Sequence, residues 1–203
     1  MKIICIGRNF AEHAKEMKSQ LPSEPIFFLK PDTSYLKPGN PFFIPSFSNN
    51  IHYECEVVVK ICKVGKNISE KFAPKYYNEI GLGIDFTARD LQEKCKANGT
   101  PWEIAKSFEG SSPISKRFID KSSLDLNNLS FSLLQNNKTV QQGNTKDMIF
   151  NIDKIISYVS KFMTLKTGDL IYTGTPAGVG KVNIGDNLVG YIGEKQMFEV
   201  RIK

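Results

Sequence analysis

The chain has 203 residues, 40% hydrophobic and 24% charged, enough for one core of ordinary size or two small ones. Fifteen Gly and ten Pro show no collagenous or low-complexity bias, and no apolar run reaches the roughly eighteen residues of a membrane span. Twenty-seven basic residues against twenty-one acidic give +6. The lysines are scattered singly, so a basic surface attracting small anionic substrates accounts for the charge without nucleic acid.

Residues 1–10 hold only four or five apolar side chains before Gly7, too few for a signal-peptide core. Residues 2–6 read instead as a strand, and a cytoplasmic protein is expected. Residues 10–19 predict a helix, with Asn9 as its N-cap and Glu12 three residues later. Its apolar stripe is Phe10, Ala14 and Met17, flanked by His13 and Glu16 at i and i+3. A carboxylate so placed orients an imidazole and raises its basicity, as a general base requires. A surface ion pair has the same spacing.

The segment 19–25 breaks this pattern, 25–31 reads as extended, and a turn-rich stretch follows through Pro45-Ser46. Alternation over 54–63 and 79–87 predicts two strands. A helix over about 88–97 ends at Asn98-Gly99, with Pro101 beyond. Residues 129–135 and 138–142 suit a hairpin around Asn136-Asn137. Ile152, Ile155, Ile156 and Val159 give helical spacing over 152–163, and the tail alternates strands with turns. Strands outnumber helices without regular βα alternation, which predicts a β-dominated α+β fold. With no repeat or linker, one domain is expected over 1–203.

The four cysteines, Cys5, Cys55, Cys62 and Cys95, form no CxxC, so buried free thiols are expected. With only His13 and His52 available, any metal would be held by carboxylates. Glu54 and Glu56 share a strand face, opposite the apolar Cys55, Val57, Val59 and Ile61. In a partly buried setting the two repel, and a divalent cation neutralises them; a solvated outer face is the other reading. On the next strand Gly81, Gly83, Asp85 and Thr87 share a face. The glycines let a backbone or a ligand approach, leaving Asp85 over a recess, or else Asp85 caps the helix that follows. Together the three carboxylates predict a Mg²⁺ or Mn²⁺ site.

The loop 173–181 looks like a phosphate loop, but five residues separate Gly174 from Gly180, and Val182 stands where Ser or Thr would bind a metal. Its backbone N–H groups could hold a carboxylate, or it is a mere turn. Lys30 and Lys106 are single charges amid apolar residues, each either reaching solvent or facing a buried anion.

The stretches GRNFAEHAKEM (7–17), EPIFFLKP (24–31), IHYECEVVV (51–59), DFTARDLQ (85–92), PWEIAKSFEGSSPIS (101–115) and MIFNIDKIISYVSKFMTLKTGDLIYTGTPAGVG (148–180) run in order over nearly the whole chain. In them the chain resembles the fumarylacetoacetate hydrolase family, most of all its short acylpyruvase and oxaloacetate decarboxylase branch. The resemblance implies a mixed β-roll, usually a homodimer. It implies that Glu54, Glu56 and Asp85 bind the metal, Mg²⁺ or else Mn²⁺. His13 and Glu16 become the catalytic pair on a lid helix, with Lys106 beside them in catalysis. Arg8, Lys30, Gln92 and Thr175 become substrate-binding residues. Many relatives carry Asn-Asp-x-Ser/Thr at the third ligand. Ile84-Asp85-Phe86-Thr87 here points away from the isomerase and hydratase branches.

The activity so implied is Mg²⁺-dependent cleavage of a C–C bond in a small 2,4-dioxo or 2-oxo acid. Acylpyruvate hydrolysis and oxaloacetate decarboxylation both pass through a metal-held pyruvate enolate. His13 would activate water, and Lys106 or donors near Thr175 would stabilise the oxyanion. An isomerase or hydratase of an unsaturated 2-oxo acid in aromatic catabolism is the alternative. A non-catalytic binding protein is a third, opposed by the retained triad and His13–Glu16 pair. The partners expected are a small anionic 2-oxo acid and a second copy of the chain, not nucleic acid or a membrane.

Overall fold

The computed structural model describes residues 1–17 and 19–203. Its first elements are β1 (Ile3–Gly7), α1 (Ala11–Glu16), β2 (Ile26–Lys30), β3 (Tyr35–Leu36), β4 (Ile51–Tyr53) and β5 (Cys55–Ile61). Then come β6 (Tyr77–Ile84), β7 (Thr87–Ala88), α2 (Arg89–Asn98), α3 (Glu103–Lys106), β8 (Ser112–Pro113) and β9 (Ile119–Asp120). The chain closes with β10 (Ser130–Gln135), β11 (Lys138–Asn144), α4 (Ile152–Phe162), β12 (Leu170–Tyr172), β13 (Gly180–Lys181), β14 (Asn187–Ile192) and β15 (Lys195–Arg201). Among the described residues no helix is long and apolar enough to cross a membrane.

The main sheet has six strands in the order β2-β1-β12-β5-β6-β9. Only β1 and β12 are parallel within it. A four-stranded antiparallel sheet, β11-β10-β14-β15, packs against it, and smaller sheets β13-β4-β7 and β3-β8 flank the pair. Ile4, Val57, Val59, Ile80, Leu82 and Ile171 fill the space between the two larger sheets, with Leu133, Leu188 and Phe198 opposite. Each such aliphatic side chain contributes about 1.5–3 kcal/mol by leaving water. Helix α4 closes this core with Ile155, Ile156 and Val159, and Asn151 Oδ1 caps it by accepting the Lys154 N–H at 2.8 Å.

The opposite face of the six-stranded sheet is buried too, so the strand over 55–61 has two dry faces rather than one wet and one dry. Ile3, Cys5, Val58 and Tyr172 form a second apolar cluster there. The same face carries polar groups: Lys30 lies opposite Ile3, and Glu56 opposite Gly83. The recess expected beside Gly81 and Gly83 is filled by protein. A Cβ at Gly81 would lie 2.7 Å from Ser115 Oγ, and one at Gly83 2.7 Å from the Pro113 carbonyl.

Several local expectations need correction. The helix predicted over 10–19 covers Ala11–Glu16, and its predicted Lys18 lies outside the described residues. Asn9 does not cap it. Its amide instead donates to the Phe150 and Thr173 carbonyls at 2.9 and 2.8 Å and accepts the Phe150 N–H at 2.8 Å, tying the start of α1 to the core. The strand predicted over 79–87 breaks after Ile84. There Asp85 N–H turns to the Glu54 carbonyl at 2.8 Å and Phe86 N–H to the Ser111 carbonyl at 2.9 Å. Cys5, Cys55 and Cys95 are buried as expected, but Cys62 is exposed. The hairpin forms where expected, with Asn136 and Asn137 at φ 52° and 66°, as a two-residue turn between twisted strands demands.

Candidate active site

The break after Ile84 sets Asp85 beside Glu54 and Glu56. One oxygen of each carboxylate lies within 4.8 Å of the others, and all three residues are buried. Two of the three are neutralised by cations. Lys106 Nζ lies 2.7 Å from both Glu54 Oε2 and Asp85 Oδ2, and donates its third hydrogen to Thr87 Oγ1 at 2.6 Å. Arg89 Nη2 donates to Glu54 Oε1 at 2.6 Å. Lys30 Nζ sits 2.5 Å from Asp85 Oδ1 outside hydrogen-bond alignment, and donates to the Ser111 carbonyl and hydroxyl.

Glu56 is different. It accepts the Gly174 N–H at 2.7 Å, and among the described residues no ammonium or guanidinium pairs with it. Burial, with Asp85 and then Glu54 beside it, pushes its carboxyl well above the usual range. For Glu54 burial also pushes upward, but Lys106 and Arg89 outweigh it and hold that carboxyl well below the usual range. Burial pulls the Lys106 ammonium down, and Asp85 and Glu54 more than reverse it. An all-oxygen cluster with one uncompensated member fits a hard divalent cation, which Glu54, Glu56 and Asp85 would hold.

His13 and Glu16 meet as their spacing predicts, with Nδ1 3.3 Å from Glu16 Oε2 and His13 facing the cavity that the three carboxylates line. Burial lowers the His13 pKa, partly opposed by the Glu54 charge and the Glu16 hydrogen bond. Both Glu16 carboxylate oxygens lie 3.2 Å from the Gly178 nitrogen, whose N–H they share. The loop 173–181 therefore does hold carboxylates by backbone N–H groups, namely the chain's own Glu56 and Glu16.

Arg8, Gln92 and Thr175 also line the cavity. Gln92 Oε1 accepts Arg89 Nη1 at 2.5 Å, and its Nε2 donates to no described residue. The Thr175 hydroxyl donates to the Cys55 carbonyl at 3.0 Å and accepts from Gln141 Nε2 at 2.9 Å. Lys30, expected to bind substrate, is fully buried against Asp85 and is not among the residues lining the cavity. Lys106 lines the cavity with all three hydrogens committed to protein oxygens.

Sequence reading missed Arg89. Its signal was the i, i+3 spacing of Arg89 and Gln92 on one helix face shared with the buried Cys95, directly after a candidate ligand. Gln141 was missed as well. It spans two segments remote in sequence, accepting the Cys55 N–H at 2.9 Å while donating to Thr175 and Pro176.

Fold and site define a metal-dependent enzyme whose centre is built of carboxylates. The family model described as Fumarylacetoacetate (FAA) hydrolase C-terminal matches residues 2–203, and the chain belongs to that family. It is 47% identical over 187 residues to "Oxaloacetate tautomerase FAHD1, mitochondrial" of Bos taurus, covering 92% of this chain and 84% of the bovine one. It is 46% identical over 186 residues to "Oxaloacetate decarboxylase, mitochondrial" of Dictyostelium discoideum, covering 91% and 85%. Fumarylpyruvate hydrolase from Pseudomonas aeruginosa, solved in complex with Mn²⁺ and pyruvate, superposes with a TM-score of 0.93 at 35% identity, covering 100% of this chain and 89% of that one.

Proposed function

We propose that this enzyme acts on oxaloacetate through enolate chemistry, with Mg²⁺ at Glu54, Glu56 and Asp85 and His13 moving the proton at C3. One observation carries the reading: His13, hydrogen-bonded to Glu16, stands on the wall of the cavity that the three buried carboxylates line. When bound, the cation would act as a Lewis acid on the 2-oxo carboxylate and stabilise negative charge on the carbonyl oxygen. His13, kept neutral by burial and oriented by Glu16, accepts the C3 proton. Lys106 and Arg89 keep Glu54 ionised, so it remains a competent ligand. Helix α1, fastened by Glu16 to Gly178, shields the reaction from bulk water.

Return of the proton to the oxygen of the enolate gives the enol, a keto–enol interconversion. Alternatively, with the C3 proton left in place, loss of the C4 carboxylate of keto oxaloacetate as CO₂ leaves the C3–C4 bonding pair in a pyruvate enolate, which a proton delivered to C3 converts to pyruvate. Names of the relatives support both outcomes: oxaloacetate tautomerase and oxaloacetate decarboxylase. Acylpyruvate hydrolysis is the second reading, favoured by the likeness to a hydrolase solved with Mn²⁺ and pyruvate. There His13 would deprotonate a water that attacks the 4-carbonyl. The test incubates the protein with oxaloacetate and, separately, acetylpyruvate, with Mg²⁺ or EDTA, following enol absorbance and pyruvate. Mg²⁺-dependent enol conversion or pyruvate from oxaloacetate above the uncatalysed rate is expected. No change with oxaloacetate, in protein that binds Mg²⁺, overturns the proposal, and pyruvate from acetylpyruvate alone would replace it with hydrolysis.

A further inference from the structure

Arg8, Met17, Ser19, Lys96 and Trp102 line both the inner cavity and an outer groove of about 630 Å³. These residues lie where the inner cavity and the outer groove meet and form a neck between them. Among the described residues two cations stand in that neck, and neither Arg8 nor Lys96 has a carboxylate partner there. Lys30, Lys106 and Arg89, deeper in, are all ion-paired. Lys96 lies over the Trp102 ring at 5.9 Å. Burial lowers its pKa, and so do the nearby charges of Arg89 and Arg8. Arg8 holds φ 58°, a left-handed conformation uncommon outside glycine, in the turn between β1 and α1.

Charge balance says what these cations face. The inner carboxylates Glu54, Glu56 and Asp85 are matched in number by Lys30, Lys106 and Arg89. A divalent cation adds two positive charges, Arg8 and Lys96 add two more, and Glu16 removes one. A substrate with a single carboxylate leaves most of that excess, whereas a second carboxylate in the neck offsets it with charge-assisted hydrogen bonds. An apolar acyl end placed there would cost the two cations solvation and return nothing.

We propose that Arg8 and Lys96 form a distal-carboxylate site that selects 2-oxo dicarboxylates over acylpyruvates. This rests on the reading of the inner cavity as a 2-oxo acid site. The test compares two unreactive ligands with the same 2-hydroxy acid head: malate, ending in a carboxylate, and 2-hydroxybutyrate, ending in a methyl group. Their affinities are measured by calorimetric displacement of oxalate with excess Mg²⁺, for the wild type, Arg8→Gln, Lys96→Gln and Lys96→Arg. Malate should bind the wild type at least about thirtyfold more tightly than 2-hydroxybutyrate, as one charge-assisted contact supplies. Each Gln variant should cut that ratio about tenfold, with Lys96→Arg keeping it. A wild-type ratio near one, or a ratio unmoved in both Gln variants, overturns the proposal. Should one Gln variant fail to fold, the other and the wild-type ratio decide. Malate selectivity without turnover of oxaloacetate would count against the proposed reaction alone. Turnover without selectivity would count against the neck alone.

Discussion

Among the described residues no cation pairs with Glu56, and burial with its carboxylate neighbours raises its pKa, so at pH values below that raised pKa metal binding displaces a proton. Between the ordinary carboxyl pKa and that raised value the folded apo chain keeps a proton the unfolded chain has lost. Apo stability therefore falls with rising pH across that window, and the Mg²⁺-induced rise in Tm grows. Calorimetric Mg²⁺ titrations in two buffers of different ionisation enthalpy should reveal proton release; identical heats would refute it. Glu56→Gln should abolish the Mg²⁺-induced rise in Tm without lowering the apo Tm. His13→Ala should lower turnover by about 10²–10⁴-fold while that rise persists. Because burial lowers the His13 pKa, the acid limb of kcat/KM should lie below about 6.5, the free imidazole value. Glu16 raises that pKa, so Glu16→Gln should move the limb further down in pH while reducing kcat. A limb shifted upward would contradict the assignment.

Helix α1 spans six residues, too short to hold its shape unaided. Asn9 anchors its start and Glu16 fastens its end to Gly178. Asn9→Ala removes three buried hydrogen bonds and should destabilise the chain by about 2–4 kcal/mol, read from urea unfolding. A loss below about 0.5 kcal/mol would show that the anchor is idle. Gly174 belongs to the same junction: at φ 99°, a Cβ there would lie 2.7 Å from the Asn9 Cβ. The Asn9–Phe10 start of the helix looked like a capping box because Asn and Glu stand at the right spacing. Caps depend on neighbours within a turn, whereas the groups that claim Asn9 lie 141 and 164 residues away.

At the scale of the molecule the six-stranded sheet does two jobs with its two faces. Leu82, fully buried, packs toward Gly190 on the facing four-stranded sheet, while Gly81 and Gly83 beside it share the side of Glu56. Leu82→Ala should cost about 2–5 kcal/mol of stability. Mg²⁺ affinity of the folded protein should stay unchanged, since the cavity opens on the other side of the sheet. A parallel loss of Mg²⁺ affinity would mean that the two faces are mechanically coupled.

The sequence by itself determined what depends on spacing along the chain. Alternation marked the strands around Val57 and Leu82, i and i+3 spacing marked His13 with Glu16, and i and i+2 put Glu54 and Glu56 on one face. Each is a consequence of helical or extended geometry over a few residues. Only the tertiary structure decided which cation meets which carboxylate. Lys30, Lys106 and Arg89 approach Asp85 and Glu54 from three different elements, and Glu56 is left uncompensated because none of the three reaches it. It also decided that Lys30 is buried against Asp85 and that protein, not ligand, fills the space at Gly81 and Gly83. Those outcomes follow from strand order and register, which join β2, β5 and β6 across long stretches of chain, and no local pattern records that pairing.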